Sequence, residues 1–220
     1  MKKTIILAAL LFAGFLFAQD NPPKLNGVIW NPDGIELTYV EGSGDIKGFF
    51  IGSYEITQAQ WQAVMGSNPS NHKGDDLPVE YVGWNDAKEF LKKLNAQTGR
   101  NYRLPTEGEW RYAAKGGNIS QRYEYAGSNN IDEVAWYKDN SRGLTHPVGR
   151  KKPNELGIFD MSGNVWEWCE DCYSNNCSTR VNLGGGRISL SYYMRVANRE
   201  SIDNKPDDYS GNLGFRIVLP

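Results

Sequence analysis

The chain has 220 residues, a formal net charge of −2 and only two histidines. Its lysines and arginines are scattered, which excludes the basic stripe of a typical nucleic-acid-binding domain. Seven tryptophans, 12 tyrosines and 24 glycines favour a loop-rich domain in which aromatic side chains anchor irregular backbone. The length suits one large domain with a substantial core, or alternatively two small ones.

Residues 1–18 have the pattern of a secretory signal peptide. Lys2 and Lys3 precede an apolar run over residues 5–17, and Ala18 is a small residue at a plausible cleavage point. This run is too short for a comfortable membrane span, and no other segment approaches the required length. We therefore expect an exported protein, periplasmic or secreted, without stable membrane insertion.

Three helices are predicted from capping and stop signals. Thr57 and Gln60 form a capping box at the start of the first helix, which stops at Gly66. The second helix is predicted to start at Asn85 and to end near residue 99. The third is predicted over residues 106–116, since a second capping box opens it and two glycines close it.

Three short strands are predicted at residues 35–40, 49–54 and 215–219. No internal repeat or low-complexity linker interrupts the chain. Together with the helices, these strands indicate a single α+β domain with long irregular excursions.

Three cysteines lie within nine residues, at Cys169, Cys172 and Cys177. Export favours a structural disulfide, and both Cys172–Cys177 and Cys169–Cys177 are candidate pairs. A redox role for Cys169 and Cys172 lacks the thioredoxin-like context. A zinc site lacks a fourth ligand, because His72 and His146 are remote in sequence.

Residues 157–169 combine two carboxylates with glycine, asparagine and two tryptophans, too mixed a composition for an ordinary strand or helix. Asp160 and Glu167 are oxygen donors, and Gly163 and Asn164 can bend the backbone so that carbonyls point inward. This chemistry fits a calcium site. The alternative is a buried turn whose acids bind backbone amides.

The chain carries a series of motifs in a fixed order: FIGSYEITQAQW at 50–61, LPVE at 77–80, YRLPTEGEW at 102–110, HPVG at 146–149, PNELG at 153–157, SGNVWEW at 162–168 and LGFR at 213–216. These motifs resemble those of the formylglycine-generating enzyme (sulfatase-modifying factor) family. The resemblance covers essentially all of residues 37–220, with residues 19–36 as an N-terminal extension.

The resemblance implies an irregular variant of the C-type lectin fold, stabilised by calcium. Carried over by motif, the calcium ligands are the side chains of Asp160 and Glu167 and the carbonyls of Gly163 and Val165. The family also implies a second calcium site in a region that contains Asn130, Ile131, Asp139 and Asn140.

The family's oxidases bind copper through two cysteines after a glycine-rich stretch, and soft thiolates are what copper(I) requires. Residues 184–195 contain no cysteine here. Another branch of the family binds iron through three histidines, whereas this chain has two. We therefore expect no copper or iron and no formylglycine-generating activity, and no catalytic residue is assigned.

The expected function is a calcium-stabilised binding or scaffold module for a protein, peptide or glycan. The predicted contact residues are Trp166, Arg187, Tyr192 and Tyr193, because aromatic and arginine side chains anchor interfaces. At least one of the two tyrosines is expected only to pack. The alternative is an enzyme of the family, either an oxidase of peptidyl cysteine or one with a different chemistry.

Three arginines near the C-terminus match recurring arginines of the family. Arg195, Arg199 and Arg216 are expected to bind the acids and carbonyls that hold irregular loops together.

Overall fold

The computed structural model describes residues 28–30, 34–198 and 204–220. The predicted signal peptide over residues 1–18 lies outside this range. Within it, no helix is both long and apolar enough to cross a bilayer.

The described residues contain short strands and helices joined by long irregular segments. The strands are β1 (Val28–Trp30), β2 (Glu36–Val40), β3 (Phe49–Gly52), β4 (Trp166–Cys172), β5 (Arg180–Leu183), β6 (Leu213–Gly214) and β7 (Val218–Leu219). The helices are α1 (Gln58–Met65), α2 (Trp84–Thr98), α3 (Glu107–Ala114) and the single turn α4 (Ile131–Val134).

Two small sheets organise the chain. The first is antiparallel with the order β1-β2-β3-β7, so it joins the start of the domain to its last strand. The second has the order β5-β4-β6, in which β4 pairs antiparallel with β5 and parallel with β6. Strand β4 therefore lies in the middle of the second sheet, next to the segment that carries the C-terminal motif.

The predicted helix ends are largely confirmed. In α1, Thr57 Oγ1 accepts from Gln60 N at 3.3 Å and Thr57 N donates to Gln60 Oε1 at 3.0 Å. Gly66 ends that helix with a left-handed φ of 82°. The predicted start of α2 at Asn85 is wrong, because Asp86 accepts from Gly83 N at 3.0 Å and moves the helix start to residue 84.

The strand predictions are less accurate. Strand β3 ends at Gly52, two residues before the predicted end, and the predicted C-terminal strand is limited to residues 218–219. The mixed segment 157–169 was expected to lack a regular strand, yet it contains most of β4. This strand forms because it pairs with β5 and β6, and not because apolar and polar residues alternate along it.

The core is aromatic on the side of α1 and α2. Trp61 stacks on Phe90 with ring centroids 5.3 Å apart, and Phe215 contacts both rings edge-on. A second buried cluster lies around Trp110 and β3. Both clusters pack against the second sheet, so its central strand β4 is enclosed.

Candidate functional site

A buried ion pair lies at the centre of the domain. Arg216 donates from Nε to Glu167 Oε2 at 2.6 Å and from Nη2 to Glu167 Oε1 at 2.7 Å, and both side chains are fully buried. Trp110 Nε1 donates to the same Oε2 at 2.6 Å. Both oxygens of the Glu167 carboxylate therefore have strong donors.

The rest of the Arg216 guanidinium binds loop backbone. Nη1 donates to Gly52 O and Nη2 donates to Phe159 O, each at 2.9 Å. This confirms the expected role of Arg216 as a link between acids and carbonyls. Arg195 pairs with Glu124 at 2.6 Å in a partly exposed position, and Arg199 lies outside the described residues.

Two further acids are buried near this pair. Glu55 accepts from Asn164 Nδ2 at 2.7 Å and from Val165 N at 3.1 Å. Asp160 Oδ2 accepts from Gly149 N at 2.7 Å, while its Oδ1 is enclosed and has no partner among the described residues. The backbone of Asp160 has a left-handed φ of 56°.

The surroundings raise the pKa values of all three groups, Glu55, Asp160 and Arg216. Burial, together with the charges of Asp160 and Glu167, raises the pKa of Glu55 well above its usual range. Burial raises the pKa of Asp160 to about 6. For Arg216, burial alone lowers the pKa, but the adjacent Glu167 outweighs it and the net shift is upward. Arg216 is therefore the resident positive charge of this acidic centre.

The expected calcium ligands are partly engaged with other groups. Asp160 Oδ1 is enclosed and has no partner among the described residues, whereas both Glu167 oxygens accept from Arg216 and Oε2 also accepts from Trp110. Calcium binding by Asp160, Glu167 and the carbonyls of Gly163 and Val165 stays a prediction. No group of three or more acidic, histidine or cysteine side chains in the described ranges is placed to hold a metal ion.

The region of the second expected calcium site is held by internal hydrogen bonds. The Asn130 side chain caps α4 by accepting from Asp132 N at 3.2 Å. Asn140 Nδ2 donates to Asp132 Oδ1 at 3.1 Å and to Ala135 O at 3.0 Å. Asn130 and Asn140 therefore act as turn-stabilising groups, and coordination there stays a prediction.

The cysteines form one disulfide and one enclosed thiol. Of the two candidate pairings, the structure contains Cys172–Cys177, and Cys169 is free and fully buried. Burial raises the pKa of the Cys169 thiol well above its usual range, which disfavours the thiolate form. Because Cys172 is bonded to Cys177, Cys169 and Cys172 do not form a redox pair in this structure.

Residues 184–195 form a surface segment above the buried centre. The predicted contact residue Trp166 is only 1 % exposed, so it lies beneath the surface and donates from Nε1 to Ser189 Oγ at 3.0 Å. Tyr193 packs edge-on against Trp166 at 5.7 Å, whereas Tyr192 is 44 % exposed. One tyrosine of the pair therefore packs and the other faces solvent, as expected.

Sequence reasoning missed the most exposed apolar residues of this segment. Ile188 and Leu190 are 58 % and 54 % exposed. Leu144 and Tyr81 are also more than 40 % exposed. Leu144 follows Gly143, whose carbonyl accepts a hydrogen bond from Arg187 Nε, and Tyr81 lies beside Arg187 next to Gly211. We call this surface the apolar face; it consists of Tyr81, Leu144, Ile188, Leu190 and Tyr192.

A separate cavity of about 370 Å³ lies away from this face, between residues 45–49 and the start of α3. Its charged lining includes Arg103 and Glu109, which form a two-bonded ion pair at 2.6 and 2.7 Å. These groups are satisfied by each other and by the cap of α3, so they give no reason to place a ligand there.

The small sheets, the irregular connections and the buried centre define a variant of the C-type lectin fold. Residues 39–220 match the family model described as a sulfatase-modifying factor enzyme 1-like domain, and the chain belongs to that family. The family resemblance and the fold predicted from sequence are therefore confirmed.

Three known proteins illustrate the range of similarity. The "Chaperone protein LppX" of Paenibacillus barcinonensis is 40% identical over 235 residues, covering 82% of this chain and 83% of that protein. The mouse "Inactive C-alpha-formylglycine-generating enzyme 2" is 35% identical over 180 residues, covering 74% of this chain and 56% of that protein. The structure of Treponema denticola variable protein 1 has a TM-score of 0.73 at 27% identity, covering 87% and 98% of the two chains.

Proposed function

We propose that this protein is a non-catalytic binding module that holds exposed polypeptide segments of a partner protein on its apolar face. The carrying observation is the cluster of exposed aliphatic and aromatic side chains around residues 187–192. Several exposed large apolar side chains close together in one short segment are typical of protein interaction sites. The aliphatic Ile188 and Leu190 offer no hydrogen bonds to sugar hydroxyls, so a polypeptide is a better match than a glycan.

Two of the relatives are compatible with a non-catalytic role. One similar protein is named a chaperone and another is named an inactive member of the enzyme family. In this chain the segment after the glycine-rich stretch lacks the cysteine pair, and Cys169 is enclosed. Formylglycine generation is therefore not part of the proposal, and neither is a calcium ion bound through Glu167.

We further propose that the module works after export, in the periplasm or outside the cell. The charged and apolar pattern of residues 1–18 is the first support. The Cys172–Cys177 disulfide is the second, because such bonds persist in oxidising compartments. Cell fractionation with N-terminal sequencing tests this: a mature protein that begins at Gln19 is expected, and full-length protein confined to the cytosol contradicts it.

The binding proposal is tested with a fluorescent, reduced and carboxymethylated α-lactalbumin as an unfolded polypeptide probe. The full mature protein is expected to raise the anisotropy of the probe in a saturable manner. The double variant Ile188→Ser and Leu190→Ser is expected to weaken binding by about tenfold or more, since two large apolar contacts are lost.

The matched control is Ile119→Ser, which removes an equally exposed aliphatic side chain (55 %) on a different segment. This control is expected to bind like the unmodified protein. Absence of probe binding, or equal weakening by the double variant and the control, contradicts the proposal.

A further inference from the structure

Two oppositely charged side chains lie beneath the apolar face without bonding to each other. Arg187 donates from Nε to Gly143 O at 2.9 Å, but its Nη1 is enclosed without a partner. Glu80 Oε1 accepts from Asn71 N at 2.6 Å, but its Oε2 is likewise enclosed and unpartnered among the described residues. Both side chains are at least nine-tenths buried.

The guanidinium and the carboxylate meet above Gly211, where the unpaired Glu80 Oε2 lies near Arg187 Nη2, the other terminal nitrogen of the guanidinium whose Nη1 has no partner among the described residues. A Cβ atom placed on Gly211 would lie 2.8 Å from Arg187 Nη2, 2.8 Å from Glu80 Oε2 and 2.9 Å from Tyr81 Cε2. The position therefore brings a donor and an acceptor together, and it requires glycine because a methyl group would meet both. Tyr81, 41 % exposed and with a left-handed φ of 60°, covers the space from the solvent side.

Unpaired buried donors and acceptors cost free energy, which a ligand that pairs them recovers. An anionic ligand group would be repelled by Glu80, and a cationic one by Arg187. A neutral amide satisfies both, because its carbonyl accepts from Arg187 and its N–H donates to Glu80. The charge pair therefore matches amide chemistry rather than a carboxylate or an ammonium group.

We propose that Arg187 and Glu80 form a paired donor and acceptor that binds an amide group of the polypeptide held on the apolar face, with Tyr81 moving aside to admit it. This inference rests on the proposed function and specifies the ligand chemistry at the centre of that face. The amide belongs to an asparagine or glutamine side chain, with apolar neighbours that contact Ile188 and Leu144.

The probes are three blocked pentapeptides that differ only at the middle residue: acetyl-Gly-Leu-X-Leu-Gly-amide with X as glutamine, glutamate or lysine. Each competes against the fluorescent unfolded α-lactalbumin for the full mature protein. The glutamine peptide is expected to compete about tenfold better than the two charged peptides, because only it pairs both buried groups.

Charge-altering variants sharpen the test. Glu80→Gln, which keeps an acceptor for Asn71 N, leaves Arg187 as the only charge, so the preference is expected to shift toward the glutamate peptide. Arg187→Met leaves Glu80 as the only charge, so the preference is expected to shift toward the lysine peptide. Gly211→Ala fills the space and is expected to remove the discrimination among the peptides. Thermal melts of each variant check that it is folded.

The outcomes separate the two proposals. Equal competition by all three peptides overturns the amide site. If the double variant Ile188→Ser and Leu190→Ser still abolishes binding of the unfolded probe, the proposed function stands. Failure of the unmodified protein to bind the unfolded probe overturns both. Because the peptide series uses the unmodified protein, its result does not depend on whether any variant folds.

Discussion

Arg216 and Arg187 are both buried arginines of one small domain, yet their surroundings differ in every respect. Arg216 binds both oxygens of Glu167 and two backbone carbonyls, and its pKa is raised. Among the described residues, the Arg187 side chain donates one hydrogen bond, to Gly143 O, and its Nη1 has no partner; burial lowers its pKa despite the nearby Glu80.

This difference in hydrogen bonding distinguishes a charge that stabilises the fold from a charge that can bind a ligand. A charge whose hydrogen bonds are all made internally holds loops in place and has nothing to offer a ligand. A buried charge with unpaired hydrogen-bonding groups, beneath exposed apolar side chains, favours binding, because a ligand that pairs those groups removes their cost in free energy. Arg216 therefore belongs to the scaffold, and Arg187 belongs to the binding face.

The largest predicted effect is on stability at the scaffold centre. Arg216→Met is expected to lower the free energy of unfolding by about 3–5 kcal/mol, since it leaves the buried Glu167 carboxylate unpaired. Arg187→Met is the matched change, and it is expected to cost about 1 kcal/mol because fewer bonds are lost. Urea unfolding of both variants measures the two values. Equal losses would remove the distinction between the two arginines.

A smaller effect concerns the acids around Arg216. The folded-state pKa of Asp160 is about 6, above its ordinary value of 3.8, so its contribution favours folding at low pH and is lost as the pH rises through about 6. Asp160→Asn is expected to raise the free energy of unfolding by about 2 kcal/mol at pH 7.5. Asparagine also tolerates the positive φ of this position.

The control for this change is its pH dependence. The variant and the unmodified protein are compared by urea unfolding between pH 4 and pH 8 in the presence of a chelator. The stabilisation is expected to shrink toward pH 4, because Asp160 is then protonated in the folded chain and, with an ordinary pKa of 3.8, partly protonated in the unfolded chain. A destabilised Asp160→Asn at pH 7.5 would show that the carboxylate is needed in its charged form.

The smallest predicted effect is that of calcium. Because Arg216 occupies both oxygens of Glu167, the thermal midpoint is expected to be the same in calcium and in chelator. Differential scanning calorimetry under both conditions makes the comparison. A calcium-dependent rise of several degrees, abolished by Glu167→Gln, would restore the four-ligand site implied by the resemblance and show that Arg216 gives way to the ion.

Local signals predicted those parts of the fold that depend on neighbouring residues. The capping box of Thr57 and Gln60, and the stop at Gly66, need only the residues beside them. Strand β4 escaped prediction because its acids and tryptophans read as a loop, whereas Arg216, 49 residues away, neutralises Glu167 and allows its burial.

The site was predicted in part for the same reason. The contact roles of Arg187 and Tyr192 stay predictions, whereas Trp166 is enclosed because Ser189 and Tyr193 cover it. Glu80 is more than 100 positions from Arg187, so no sequence pattern joins them. Exposed Ile188 and Leu190 carried a usable signal: two aliphatic residues in a segment without helical or strand periodicity.

Hydrogen–deuterium exchange of the mature protein, with and without saturating unfolded α-lactalbumin, tests the central claim most directly. The account predicts slower exchange on probe binding in residues 79–82, 141–146 and 184–195, with the amides around the Glu167–Arg216 pair unchanged. Protection limited to residues 45–49 and 103–109, or none at all despite binding, would contradict the assignment of the apolar face.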